Sequence, residues 1–276
     1  MRLICIVDNS AQRASNLWAE HGLAFLIESG GKRVLFDTGQ SGTILLHNLE
    51  VLNIEPATID ALALSHAHND HAGGLAKLLD HLCPGIPLYA HTDIFRKRYS
   101  KKNGEIHDKT FSTTRQALEA QFHLHLSDKP VEIIPGVWTT GGITERPEPE
   151  GRSADHLMRE GDDLVRDAYR DDMALVLQTG GEMVLLCGCC HAGLLNTIAH
   201  VKRVFDSPIA VIAGGLHLTT TTVEELQHAG DVLSSMPNLR GVYPSHCSGE
   251  GAFVTLSNVL GQSIVQPCPA GTILEL

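Results

Sequence analysis

Apolar residues fall in short runs along most of the chain, and glycine pairs punctuate the runs. Residues 3–7 and 24–28 read as strands. Gly30 and Gly31 then turn the second run back into a hairpin partner at residues 33–36. Residues 43–53 space their apolar side chains at helical intervals. Residues 60–65 form a buried-strand run ending at His66; a helix is expected over 75–82 and a strand over 87–90. From about 96 to 172 the periodicity weakens, and the string TERPEPEGRSADHLMREGDD is charged and proline-containing. Strand signals survive there only at 131–134 and 136–140. Strands return at 173–178 and 183–187 around Gly180 and Gly181. A helix at 194–205, a strand at 209–213, a helix at 223–236, a strand at 241–243 and a helix at 252–260 follow. No fixed-period repeat and no linker divides the chain. The expectation is one layered α/β domain over 1–276, with a lid-like excursion around 96–172 that supplies substrate contacts.

Composition narrows the classes. Hydrophobic residues make up 43% and charged residues 19%, which supports a packed core. A net charge of −11 argues against a broad nucleic-acid surface, which needs a basic footprint. The basic cluster of Arg96, Lys97, Arg98, Lys101 and Lys102 reads as a solvated loop, or else as an attraction for an anionic substrate. Seven cysteines, with Cys187, Cys189 and Cys190 crowded together, are a poor disulfide framework and suit a reducing compartment. Asp8 interrupts the N-terminal apolar stretch before a secretory signal is complete, and no apolar run reaches the length of a membrane span. A cytoplasmic protein with a small-molecule substrate, and with neither nucleic acid nor membrane as partner, is expected. The sequence carries no signal of oligomeric state.

The chain has 16 histidines, and their placement matters more than their number. SHAHNDHAGGL, residues 65–75, holds His66, His68, Asp70 and His71 just past a buried strand. Histidines two residues apart on an extended backbone face the same side, so His66 and His68 can converge on one ion. Asp70 and His71 come after the chain turns and can serve a second ion. Imidazole and carboxylate suit zinc first, with manganese or iron as alternatives. Ala72, Gly73 and Gly74 let the backbone pass close to the site. Four donors from one loop cannot surround two ions, so others must arrive from the second half of the chain. His191, His217 and His246 each sit just past a strand. His191 and His246 are expected to complete the two ligand sets. His217 is expected to bind substrate, or to replace one of them. Cys189 and Cys190 are either thiolate ligands or small buried side chains. An iron–sulfur cluster on Cys187, Cys189, Cys190 and Cys247 requires the fold to bring Cys247 close. The other histidines, His91 and His156 among them, read as surface residues.

The HxHxDH string resembles the signature of the metallo-β-lactamase superfamily. EHGLAFLIESGGKRVLFDTGQS, LSHAHNDHAGGL, DDMALVLQ, CGCCHAG, GGLHL and SHCSG occur in the order found in one of its branches. Members of that branch are called dihydropterin-ribofuranosylaminobenzene phosphate synthases or metal-dependent hydrolases. The resemblance spans nearly the whole chain and is weakest around 96–170. It implies an αββα sandwich with two metal ions at one edge, between the sheets. It implies that Asp37, in VLFDTG, orients a ligand histidine or the metal loop, against the alternative of a simple turn cap. The usual histidine-rich third motif is absent, and TTGGI (residues 139–143) stands in its place. The strand MVLLCGC aligns Cys189 with the usual bridging aspartate. Asp8, Asn9, Glu20 and His21 are implied to lie around the rim.

The function these signals imply is dinuclear metal-dependent hydrolysis of a phosphoester or related small anionic substrate by a metal-activated hydroxide. Asp70 is then ligand and orienting group, and His217 an oxyanion or proton donor. One alternative is a condensing enzyme that joins a dihydropterin diphosphate to an arylamine. Another is a metal- or redox-binding protein without turnover, suggested by the cysteine cluster.

Overall fold

The computed structural model describes residues 1–111 and 113–276. The first half runs β1 (Arg2–Val7), β2 (Ala24–Ser29), β3 (Lys32–Phe36), α1 (Thr43–Val51), β4 (Ala61–Ala63), α2 (Asn69–Ala72), α3 (Leu75–Leu78) and β5 (Pro87–Ala90). It continues with the hairpin β6 (Arg98–Lys102) and β7 (Glu105–Asp108), then α4 (Arg115–Gln121) and β8 (His123–Leu126). The second half holds β9 (Glu132–Ile134), β10 (Val137–Thr139) and the hairpin β11 (His156–Glu160) and β12 (Asp163–Arg166). It ends with β13 (Ala174–Thr179), β14 (Glu182–Cys187), α5 (Leu194–Val204), β15 (Ile209–Gly215), α6 (Val223–Ser234), β16 (Gly241–Ser245), α7 (Glu250–Leu260) and β17 (Ile273–Glu275).

Two sheets carry the fold. One has seven strands in the order β17-β1-β2-β3-β4-β5-β8, the other six in the order β16-β15-β14-β13-β10-β9. Successive residues of a pleated strand face opposite sides, so each strand feeds two apolar layers. Leu3, Cys5, Phe25, Ile27, Val34 and Phe36 of the first sheet meet Leu175, Leu177, Val184, Leu186 and Val211 of the second. Their neighbours Ile4, Ile6, Leu26 and Leu35 face outward and pack with Leu45 and Leu49 of α1 and with Leu75 and Leu78 of α3. On the other side Val176, Leu185 and Ile212 pack with Ile198 of α5, Leu233 of α6 and Leu256 of α7. The result is the expected αββα sandwich.

Between residues 96 and 172 the chain does two different things. β8 extends the seven-stranded sheet, and β9 and β10 extend the six-stranded one. The hairpins β6–β7 and β11–β12 leave these two sheets and join in a four-stranded sheet of order β12-β11-β6-β7. Every residue of β7 and most of β12 are exposed, so these strands lack the alternation that marks a strand in sequence.

Topology gathers the candidate residues. β3 and β4 are parallel, as are β14, β15 and β16, with Cys187 opposite Gly214 and Gly215 opposite Ser245. Residues 37, 66, 189, 217 and 246, which follow these strands, therefore leave the sandwich at one edge.

Candidate metal centre

Side chains from both halves converge at that edge. His66, Cys189 and His191 place one donor atom each within 4.8 Å of one another, and so do His71, Cys189 and His246. Cys189 belongs to both groups and lies between them. His68 flanks the first group, its ring 4.5 Å from that of His66 and 4.9 Å from that of His191. Asp70 flanks the second, with Oδ2 3.2 Å from His246 Nε2 and 3.8 Å from His71 Nε2. His217 stands beside the first group, its ring 4.4 Å from that of His191.

Each buried imidazole is held by the nitrogen that faces away from the centre. His71 Nδ1 bonds to Asp37 Oδ2 at 2.7 Å, His191 Nδ1 to the Gly151 carbonyl at 2.7 Å and His246 Nδ1 to Asn9 Oδ1 at 2.9 Å. Ser65 Oγ donates to Asp37 Oδ2 and lies 2.9 Å from His66 Nδ1, from which it can accept. Asp37 also accepts the Ser65 N–H, so this fully buried carboxylate fixes two histidines and the loop between them. Its orienting role is thus the one the geometry displays, rather than a turn cap. A carboxylate or carbonyl on Nδ1 fixes the tautomer and leaves Nε2 as a directed lone pair. Asp8 and Asn9 anchor His246 through its backbone N–H and ring. Glu20 accepts from the backbone of Gln40 and Ser41, while exposed His21 reaches Asp70 Oδ2 at 3.3 Å.

The donor set fits metal ions. His66 Nε2 and His191 Nε2 are buried, with no hydrogen-bond partner among the described residues. Burial lowers the pKa of His66, His68 and His191, so each offers the neutral ring that a metal takes. His71 differs. Burial opposes its charge, but Asp37 and Asp70 outweigh burial and raise its pKa to about 9. Its Nε2 lies 3.2 Å from both Cys189 Sγ and His246 Nε2, an arrangement that calls for a positive charge. Close backbone approach is needed to build this. A Cβ on Gly74 would stand 2.1 Å from the Thr38 carbonyl, and one on Gly188 2.2 Å from Ser65 Oγ.

The thiols do not form a four-cysteine cradle. Cys189 Sγ lies 3.3 Å from Cys247 Sγ, whereas Cys187 and Cys190 pair at 3.6 Å within the apolar layer under α5. Cys247 is thus close, but the four sulfurs split between two faces, which removes the basis for a cluster.

Some sequence expectations are corrected. Arg98, read as part of a solvated basic loop, is 2% exposed. Its guanidinium clasps Asp167 at 2.7 Å and Asp171 through both terminal nitrogens. Its charge is matched inside the protein, so it adds nothing to the attraction of an anion. Asp171 in turn accepts the N–H of Ala67, between His66 and His68, at 2.9 Å. His91 is buried, and His156 is half-buried in the cavity over the donors; neither is a surface residue. The sequence reading passed over Tyr169, which is fully buried and stacks on His191 with ring centres 4.0 Å apart. The cavity is about 440 Å³ and is lined by His68, Asp70, His191, His217 and His246 below. Ser100, Lys109 and His156, carried by the two hairpins that leave the core, line it as well.

Asp172 gives a pH signature. It accepts the Ala192 N–H at 2.8 Å beside His191, and burial pushes its pKa up to about 6 from an ordinary 3.8. An acid with a raised native pKa binds more protons folded than unfolded between these values, so stability falls as pH rises through that window. Asp172→Asn should flatten the fall in melting temperature between pH 4 and 6.5 (about the window of that shift). Identical slopes in variant and wild type would remove this assignment.

Comparison with known proteins gives the same outline. The sequence pattern of the metallo-beta-lactamase superfamily matches residues 17–172. Over 262 residues the chain is 29% identical to 7,8-dihydropterin-6-methyl-4-(beta-D-ribofuranosyl)-aminobenzene-5'-phosphate synthase of Methanocaldococcus jannaschii, covering 90% of this chain and 88% of that one. It is also 29% identical over 254 residues to a protein of the same organism named only as uncharacterized, covering 92% and 93%. Among solved structures it is similar to Tm1679, described as a metal-dependent hydrolase of the beta-lactamase superfamily. The TM-score is 0.84 and the identity 25%, over 100% of this chain and 99% of that one.

Proposed function

Since the chain belongs to the metallo-β-lactamase superfamily, we propose that it is a dinuclear metal-dependent hydrolase of phosphoesters or related small anionic substrates. The observation that carries this is the convergence of two donor groups on Cys189 at the floor of one cavity. His66, His68 and His191 would hold one ion and Asp70, His71 and His246 the other, with Cys189 reaching both. Zinc suits this nitrogen- and sulfur-rich set best. Ions held there would supply Lewis acidity and lower the pKa of a water.

The chain's own residues do the rest. Asp70 turns a carboxylate oxygen toward the cavity and can orient the attacking water. His217, on the wall beside His191, can donate to a substrate oxygen. The two hairpins close the cavity from above and supply contacts to the anion. The test is turnover of phosphomonoesters, phosphodiesters and a lactam by protein loaded with zinc or manganese. The reading expects phosphoester hydrolysis, with an ¹⁸O label from water in one product, and its loss on chelation. A loaded protein inert toward every phosphoester would remove it.

The likeness to the M. jannaschii synthase supports a second reading, condensation of a dihydropterin diphosphate with an arylamine. The same cations would then serve a diphosphate leaving group. A coupled product free of water-derived oxygen would favour it over hydrolysis.

A further inference from the structure

β6 and β11 are paired antiparallel with Ser100 opposite His156, so the two side chains share one face of the four-stranded sheet. Both line the cavity, and so does Lys109, an exposed cation just past β7. His156 packs edge-on against His68, with ring centres 5.1 Å apart. Its Nδ1 lies 2.5 Å from the hydroxyl of Tyr169.

Tyr169 is a rigid support. Asp167 Oδ1 accepts its backbone N–H at 2.7 Å, and Arg146 donates to its carbonyl at 2.9 Å. Its φ of 44° is a conformation that non-glycine residues adopt only when the surroundings enforce it. A phenol carries its proton at neutral pH, and the Tyr169 hydroxyl has His156 Nδ1 as its side-chain partner among the described residues. The hydroxyl can therefore donate its hydrogen to His156 Nδ1. The hydrogen of a neutral His156 ring then resides on Nε2, which has no protein partner among the described residues.

We infer that Ser100, Lys109 and His156 form an oxyanion subsite that binds the phosphoryl oxygens of the substrate, with His156 as a fixed Nε2–H donor positioned by Tyr169. This rests on the hydrolase reading and names the group that the cavity grips. Asp167, which also lines the cavity, is partly offset by the Arg98 guanidinium that it shares with Asp171. Lys109 supplies the long-range attraction, and the neutral donors supply direction.

The experiment is calorimetric titration of zinc-loaded protein with inorganic phosphate, with metal content measured on the same samples. His156→Ala should weaken phosphate binding about tenfold or more, the loss expected for a hydrogen bond to a charged group. Lys109→Ala, at an exposed position where misfolding is not a concern, should weaken it several-fold, and both variants should keep the wild-type metal content. Nitrogen-15 spectra of the imidazoles should show His156 as the Nε2–H tautomer, and Tyr169→Phe should release that preference. Unchanged phosphate affinity in both His156→Ala and Lys109→Ala, in a protein that still hydrolyses phosphoesters, overturns the subsite alone. A zinc-loaded wild type that neither binds phosphate nor hydrolyses phosphoesters overturns the hydrolase reading and the subsite with it.

Discussion

Replacing Asp70 with alanine is expected to lower phosphoester turnover roughly a thousandfold and to remove one bound ion, while the fold survives. Asp70 lies on the short helix α2, half-buried, and no core contact depends on it. It faces His21, His71 and His246, and burial, which would raise its pKa, is outweighed by these neighbours, so it is ionised throughout the working range. On the proposed reading, removing that charge would take a ligand from the second ion, and it takes the anchor from His21. Asp70→Asn separates the two roles: it keeps the shape and one acceptor oxygen but lacks the charge, and should fall close to Asp70→Ala in both rate and metal content. A variant with wild-type metal and rate would reduce Asp70 to a tether for His21 and His246.

The second large effect concerns stability. Arg98→Met should cost about 3–5 kcal/mol in urea unfolding, because it leaves two buried carboxylates without their cation. Asp167 and Asp171 are each at most 1% exposed. The damage should spread beyond the pair. Asp171 holds the Ala67 N–H in the metal loop, and Asp167 holds the Tyr169 N–H under the cavity wall. Lower metal affinity should therefore accompany the lost stability. A cost below about 1 kcal/mol, typical of surface pairs, would show that water reaches this cluster.

The layers of the sandwich could be read from sequence because the core strands are buried on both faces and read as continuous apolar runs, while the helices bury one face. Residues 3–7 and 24–28 alternate between two apolar layers, and α5 presents Ile198 and Val201 on one face. The candidate metal loop stands out in sequence because His66, His68, Asp70 and His71 are neighbours in the chain, so their proximity is a local matter of backbone geometry. His191, His217 and His246 could be picked out as histidines just past strands, and the parallel register of β14, β15 and β16 brings them to the same edge. What could not be read depends on contacts between distant residues. Arg98 meets Asp167 and Asp171 across about seventy positions, and nothing in a run of lysines and arginines marks the one that turns inward. His156 lies on β11, paired between β6 and the exposed β12, and Tyr169 lies in the loop after β12, segments with no regular apolar alternation. Their relation to His68 and His191 exists only once the two hairpins pair.

The central claim, a dinuclear centre gathered around Cys189, is tested most directly by anomalous diffraction from crystals of the protein as purified. The account predicts two peaks about 3.5 Å apart. One should lie about 2.0–2.2 Å from nitrogens of His66, His68 and His191, the other at similar range from His71, His246 and an oxygen of Asp70, with Cys189 Sγ about 2.3 Å from at least one. A single peak, or metal bound at Cys187 and Cys190 instead of the histidines, would contradict it.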